Sequence, residues 1–390
     1  MQEAIRSKIK SPGPKKILSC DGGGIRGLIT IQVLLKLEAD LRLARQDPQL
    51  VLSDYFDFVC GTSTGAIIAS CISAGMPMAD IHKFYTESGS DMFKPSAIYK
   101  RLHYSYDSDP LVEKLKFSLN KVLSHGVSGS DPDVKLGTSK LRTLLMLVLR
   151  NHSTDSPWPV SNNPFAKYND ANNPHCNLNL PLWQLIRAST AAPIYFPPEV
   201  VTWGEGTEHE LSHVFVDGGL TTYNNPAFLA FQMATNSSYA INWEVGHENL
   251  LLVSVGTGMI QNPRDDISTI EMHRGHHALN LPHALMTAAS AGWDMACRTV
   301  GACRYGHSID SEFGCSIHDE SDLELSGKLF TYVRYNPILE SNELAELDLK
   351  DIDVDAIKKL DAVDSMPDLV RVGSKYAARH VSISHLRGFV

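Results

Sequence analysis

Twice within its first 75 residues the chain runs from a short apolar segment into a glycine-framed turn and straight on into a helical pattern. Lys15-Lys16-Ile17-Leu18-Ser19-Cys20 leads into Asp21-Gly22-Gly23-Gly24. Apolar residues then recur at helical spacing from Ile25 to about Leu43 (Leu28, Ile31, Leu34, Leu35, Leu37, Leu41). Tyr55-Phe56-Asp57-Phe58-Val59-Cys60 leads into the turn 61–65, followed by a small-residue helix through about Ala74 that Gly75 and Pro77 stop. Two strand–turn–helix units in succession predict a layered α/β fold, because a strand followed by a helix returns to the sheet parallel to itself. Such sheets carry their chemistry at the carboxyl ends of the strands, which puts both turns on the reactive edge.

The rest of the chain is less regular. Between residues 76 and 179 lie a polar stretch at 124–133 and an Asn/Pro-rich one at 153–174, with a strongly apolar strand at 144–149. Residues 182–188 read as a short helix, and Val214-Phe215-Val216 as a strand ending in Asp217-Gly218-Gly219. Residues 250–255 read as a buried strand closing in Gly256-Thr257-Gly258, and beyond Gln261 the pattern is mostly helical. With no repeat, low-complexity tract or long linker, the 390 residues are expected to form a core over 15–260. A mostly helical extension over 261–390 is expected to pack on the same domain.

Composition excludes several classes. A formal net charge of -9 argues against a general nucleic-acid surface, while leaving room for a small anionic ligand held by a few local cations. Residues 1–14 are polar and lack the apolar centre of a signal peptide, and no apolar run approaches the ~18 residues that span a bilayer. A cytoplasmic protein that meets lipid only peripherally is expected. Cys20, Cys60 and Cys71 sit in apolar segments and read as core residues in a reducing compartment. Cys297, Cys303 and Cys315 lack the tight paired spacing of a zinc site, and no metal or organic cofactor is expected.

Gly61-Thr62-Ser63-Thr64-Gly65 is a Gly-x-Ser-x-Gly segment with an apolar strand before it and a helix after it. That setting exposes a serine on a strained turn, with the positive end of the following helix directed at it, as a nucleophile requires. The loop Gly22 to Gly27 carries two readings. It matches the Gly-x-Gly-x-x-Gly dinucleotide fingerprint, but the next strand leads to the Ser63 turn and not to a ribose-binding acid. It also lacks the Gly-Lys-Ser/Thr ending of a nucleoside-triphosphate loop. Alternatively the amides of Gly22, Gly23 and Gly24 form an oxyanion hole, with Arg26 beside a phosphate head group or in a surface salt bridge. Asp217, ending an apolar strand, is either a turn-former or the partner of Ser63. His247, His273, His276, His277, His283, His307 and His318 all follow Asp217, in the chain order of a Ser–His–Asp carboxylesterase, so the residues alone leave a triad open.

The order Asp-Gly-Gly-Gly-x-Arg-Gly, Gly-x-Ser-x-Gly, Asp-Gly-Gly resembles the patatin-like phospholipases. The segments 191–198 (Ala-Ala-Pro-Ile-Tyr-Phe-Pro-Pro), Asn224-Asn225-Pro226 and Ser254-Val255-Gly256-Thr257-Gly258 are similar to that family's recurrent motifs and fall in the right order over residues 15–260. The resemblance implies a three-layer α/β/α fold with a mostly parallel sheet and a Ser63–Asp217 dyad without histidine. It also implies an oxyanion hole at Gly22 to Gly24 and cleavage of fatty-acyl esters of membrane phospholipids. Gly65-Ala66 departs from the two glycines that often follow Ser-Thr in the family, and tighter packing is expected there. Length and motif spelling further resemble bacterial anti-phage effectors of this family. That implies a cyclic-oligonucleotide activator acting through a homo-oligomer. Residues 94–104 and 298–307, which mix Arg or Lys with Tyr and His, read either as contact segments for it or as ordinary surface helices. Residues 76–106, rich in Met, Phe and Tyr and interleaved with Lys94, Lys100, Arg101 and His103, read either as a lid or lipid-contacting surface or as an inserted helical segment with ordinary packing.

Overall fold

The two glycine turns lie side by side because their strands pair. In the computed structural model, β1 (Lys15–Cys20) runs parallel to β2 (Phe58–Thr62), with Cys20 opposite Gly61. The structure describes residues 3–92, 106, 109–123, 133–260, 274–310, 312–318 and 325–390. The other strands are β3 (Leu144–Asn151), β4 (Ser156–Ser161), β5 (Glu199–Trp203), β6 (Leu211–Asp217), β7 (Leu250–Val255), β8 (Ala302–Tyr305) and β9 (Thr331–Tyr335). One sheet holds all nine in the order β5-β6-β3-β2-β1-β7-β9-β8, with β4 added to β3. The run from β3 to β8 is parallel throughout, and β4, β5 and β6 join antiparallel.

The central strands are apolar on both sides, as strands between two helical layers must be. Their alternate residues divide between two cores. Leu18, Val59, Leu145, Leu147 and Val253 face one, formed with the helices Gly27–Arg45, Thr64–Ser73, Leu182–Ser189 and Met366–His380. Ile17, Phe58, Cys60, Met146 and Leu252 face the other, formed with the helices Glu3–Lys10 and Ala227–Thr235. This is a three-layer α/β/α arrangement. Cys20, Cys60 and Cys71 are buried within it and unpaired, whereas Cys315 is exposed.

Two sequence expectations change in detail. The second strand starts at Phe58, not Tyr55, because Leu52–Tyr55 forms a helical turn in which the Asp54 carboxylate accepts from the Val51 amide. The segment after residue 260 is not only helical, since it supplies β8 and β9 and β9 pairs in parallel with β7. Thr331-Tyr332-Val333-Arg334-Tyr335 is β-branched and aromatic and fully buried, so it prefers a central strand. The one arginine within it masks the apolar run. Among the described residues, no helix is long and apolar enough to cross a membrane.

Candidate active site

Ser63 stands on the turn between β2 and the helix Thr64–Ser73 with φ 54° and ψ -123°, a backbone conformation that non-glycine residues seldom adopt. The flanking glycines make that turn sterically possible. A Cβ at Gly61 would run into the backbone of Gly65, and one at Gly65 would run into the carbonyl of Cys20 on β1. The Ser63 N–H donates to Ser189 Oγ at 3.0 Å, and Ser189 Oγ donates to the Val148 carbonyl at 2.7 Å. The turn is therefore fastened to the neighbouring strand and helix.

Asp217 reaches Ser63 through the register of β3. Residues 144–148 of β3 pair with β2, ending at Thr62 opposite Val148. The next residue, Leu149, pairs with Asp217. Since β4 occupies the other edge of β3 over 146–151, β6 takes the edge that β2 leaves free, and its last residue abuts the Ser63 turn. Ser63 Oγ donates to Asp217 Oδ2 at 2.6 Å, and the Gly219 amide donates to Asp217 Oδ1 at 2.7 Å. Burial pushes the Asp217 carboxyl up to about 6, against the opposing pull of these two hydrogen bonds and of the Arg187 guanidinium. At neutral pH the group is mostly ionised and basic enough to take a proton.

The loop 22–24 lies beside Ser63 but is not uniform. The Gly22 amide donates to the Asn224 carbonyl at 3.1 Å, so Gly22 is not a free oxyanion donor as the sequence implied. Gly23 and Gly24 line the same cavity as Ser63 and Asp217, and their amides have no hydrogen-bond acceptor among the described residues. A Cβ at Gly23 would collide with the Thr257 side chain, whose hydroxyl donates to the Gly22 carbonyl at 3.0 Å. Behind the loop, Arg334 of β9 grips Asp21 through two hydrogen bonds of 2.9 and 2.6 Å, a buried pair that fixes the start of the turn.

Arg26 is in neither of its expected places. It is buried beneath the loop, with Nε 3.4 Å from the Gly23 carbonyl, and burial lowers its guanidinium to about 10. It lines a polar pocket behind Gly22 and not the cavity containing Ser63, which removes both the phosphate contact and the surface salt bridge. The dinucleotide reading also fails on the loop itself. The Gly22 amide is spent on Asn224 and the Ile25 amide on the Leu360 carbonyl, which covers Gly24 closely.

The cavity over Ser63 holds about 160 Å³ and is walled by apolar side chains, among them Ile25, Ile67, Leu111, Phe196 and Leu220. Residues 192–196 of the Ala-Ala-Pro segment form one side. No histidine lines it among the described residues. His247 faces Glu248, His307 meets the Tyr376 hydroxyl, and the backbone of His318 bonds Cys303. His273 and the side chains of His276, His277 and His283 lie outside the described residues. So does the segment 94–104, with Lys94, Lys100, Arg101 and His103. Arg298, in the other expected contact segment, spends its guanidinium on Asp294, the His307 carbonyl and the Cys315 carbonyl. Sequence reasoning did not single out Ser189, Arg187 or Arg334, whose roles depend on contacts remote in the chain.

The family model described as patatin-like phospholipase matches residues 18–231, a stretch containing both turns and Asp217. The chain belongs to the patatin-like phospholipase family. Patatin-17 of Solanum cardiophyllum is 32% identical over 256 residues, covering 62% of this chain and 60% of that protein. Patatin-2-Kuras 4 of Solanum tuberosum is 30% identical over 256 residues, covering 62% of each. This patatin-like chain thus spans about 60% of the length of the curated relatives it matches. Among solved structures, VipD from Legionella pneumophila overlaps 92% of this chain and 67% of its own at 15% identity, with a TM-score of 0.33.

Proposed function

We propose that this patatin-like protein is a serine acyl hydrolase of the phospholipase A type, cleaving fatty-acyl esters of membrane phospholipids. The observation that carries the reading is the 2.6 Å hydrogen bond from Ser63 to the buried Asp217 carboxylate at the floor of an apolar cavity. Asp217 accepts the Ser63 proton as Oγ attacks the ester carbonyl, and the amides of Gly23 and Gly24 hold the developing oxyanion. The alcohol half leaves with that proton, and water then releases the fatty acid from the acyl-enzyme. The apolar walls suit an acyl chain, and supply from a membrane surface suits so hydrophobic a substrate. Ser63→Ala is the direct test: a fluorophosphonate labels the parent and not the variant, and hydrolysis of a fluorogenic acyl ester and of phospholipid vesicles disappears. Retained turnover in the purified variant would reject the mechanism. Peripheral membrane contact, a homo-oligomer and activation by a cyclic oligonucleotide are finer proposals that rest on family resemblance. A fluorogenic ester assay across a panel of cyclic di- and trinucleotides tests the last, and full activity without additive plus no binding would remove it.

A further inference from the structure

Asn224 touches both the glycine loop and the Asp217 turn, yet leaves one polar atom unused. Its backbone carbonyl accepts from the Gly22 amide. Its Nδ2 lies 3.0 Å from Ser290 Oγ and 3.4 Å from the Gly22 carbonyl. A carbonyl only accepts, so the amide is oriented with Nδ2 toward the Gly22 carbonyl and Oδ1 turned from that oxygen toward the Gly22 Cα. That Oδ1 is buried and meets no donor among the described residues. A buried acceptor without a partner is costly unless water or a ligand serves it.

The position of this oxygen gives it a use. A Cβ on Gly219 would stand 3.0 Å from Asn224 Oδ1 and 3.1 Å from Asp217 Oδ1, so the two oxygens face the same small space above Gly219. A Cβ on Gly22 would collide with Asn224 Oδ1 and stand 3.3 Å from Ser63 Cβ, which puts the same oxygen close to the nucleophile. The absence of side chains at Gly22 and Gly219 lets Asn224 Oδ1 come this close to both backbones. Behind it lies a polar pocket of about 60 Å³, lined by Gly22, Arg26, Asn224, Thr257 and Ser290. That volume holds a few waters, since one requires roughly 10–15 Å³. Arg26 Nη1, buried and also without a partner among the described residues, offers that pocket a donor to match the Asn224 acceptor.

Resting on the hydrolase reading above, we propose that Asn224 orients the water that hydrolyses the acyl-enzyme, drawing it from the polar pocket behind Gly22. The water donates one hydrogen to Asn224 Oδ1 and the other to the Asp217 carboxylate. Its oxygen bonds to the acyl carbon as that second proton passes to Asp217. The bond between the acyl carbon and Ser63 Oγ then breaks, and the proton returns from Asp217 to Oγ, leaving free acid and regenerated serine. Acylation needs no such water, so Asn224 acts on the second half of the cycle.

The test is pre-steady-state hydrolysis of a p-nitrophenyl acyl ester by the full chain. Asn224→Ala is expected to release about one p-nitrophenol per labelled Ser63 in a burst and then turn over about tenfold to a hundredfold more slowly than the parent. Intact mass then shows the acyl group on Ser63, and hydroxylamine removes it and restores turnover. Should the alanine variant not fold, Asn224→Ser, whose hydroxyl is too short to reach the space above Gly219, gives the same readout. If Asn224 merely braced the glycine loop, burst rate and steady-state rate would fall together with no accumulated adduct, and that result overturns the proposal. No acylation or turnover by the unaltered chain would instead remove the hydrolase reading itself.

Discussion

The turns ending β1 and β2 are neighbours in the sheet, yet they solve opposite problems. The β2 turn must present one side chain, so it holds Ser63 in a conformation costing about 1–3 kcal/mol and ties the Ser63 amide to Ser189. In the proposed mechanism the β1 turn presents bare backbone, and residues 22–24 put no side chain into the cavity. Its rigidity comes from behind, through the Asp21–Arg334 pair, the Asn224 backbone carbonyl and Thr257. Strain is tolerated where a single atom must be aimed, and external bracing is used where amides must be left unbonded. The two turns therefore respond differently to mutation.

The largest effects belong to the β2 turn and its carboxylate. Ser63→Ala is expected to lower turnover by about 10⁶-fold with little change in melting temperature, as measured by ester hydrolysis and thermal unfolding. Asp217→Asn is expected to cost about 10⁴-fold, and the double variant should be no worse than Ser63→Ala alone, because the two groups act as one unit. An Asp217→Asn protein that retained most of its activity would point to a histidine outside the described residues. The pH dependence follows from the same carboxyl. Protonated Asp217 accepts no proton from Ser63, so kcat/KM of the parent should fall as pH drops below about 6. The stability effect has the opposite sense. A carboxyl whose folded value is about 6 against an ordinary 3.8 opposes folding once ionised, so this cost is absent below about pH 4 and complete above about pH 6. Asp217→Asn should accordingly melt above the parent at pH 7, with the gap closing toward pH 4.

These residues were legible because their chemistry is written locally. Gly61 and Gly65 frame Ser63 within five residues, and Asp217 carries its glycines with it. The juxtaposition of Ser63 and Asp217 came from the family resemblance and not from the residues themselves, since it depends on β6 entering antiparallel along the edge of β3 that β2 vacates. In the sequence the three amides of the glycine loop look equivalent, and in the structure they are not. Asn224, which takes the Gly22 amide, is 202 residues away. Arg334 was invisible for a related reason. A charged residue inside a buried strand looks like a break in the pattern until its carboxylate, on the far side of β7, is found.

The β1 turn should show an intermediate effect. Gly23→Val adds a side chain where the Thr257 side chain already sits, so the loop cannot keep its present position beside Ser63. Losing one oxyanion donor typically costs about 10²–10³-fold in turnover, and that range is expected here. Fluorophosphonate labelling should slow along with turnover, while circular dichroism at 20 °C stays native. Undiminished turnover in a folded Gly23→Val protein would remove the loop from the mechanism and leave the β2 turn as the whole site.

The smallest effect tests whether bracing also tunes the base. Arg187 is fully buried beneath the site, with Nη2 donating to the Pro197 carbonyl at 2.6 Å and the guanidinium 5.4 Å from the Phe196 ring centre. Its Nε and Nη1 meet no acceptor among the described residues, and no carboxylate there touches the guanidinium directly. Asp217 is one of the carboxylates that feel it, and its pull opposes the rise that burial imposes on Asp217. Arg187→Met removes the charge while keeping most of the bulk, so the acid limb of kcat/KM should move to higher pH, by less than about one unit. Arg187→Lys keeps the charge and should leave the limb in place even if the altered Pro197 contact lowers overall stability. A purely structural role predicts the reverse: both variants would lower thermal stability and neither would move the limb. The pH profile separates the two, because loss of folded protein scales the whole curve whereas a change at Asp217 displaces it.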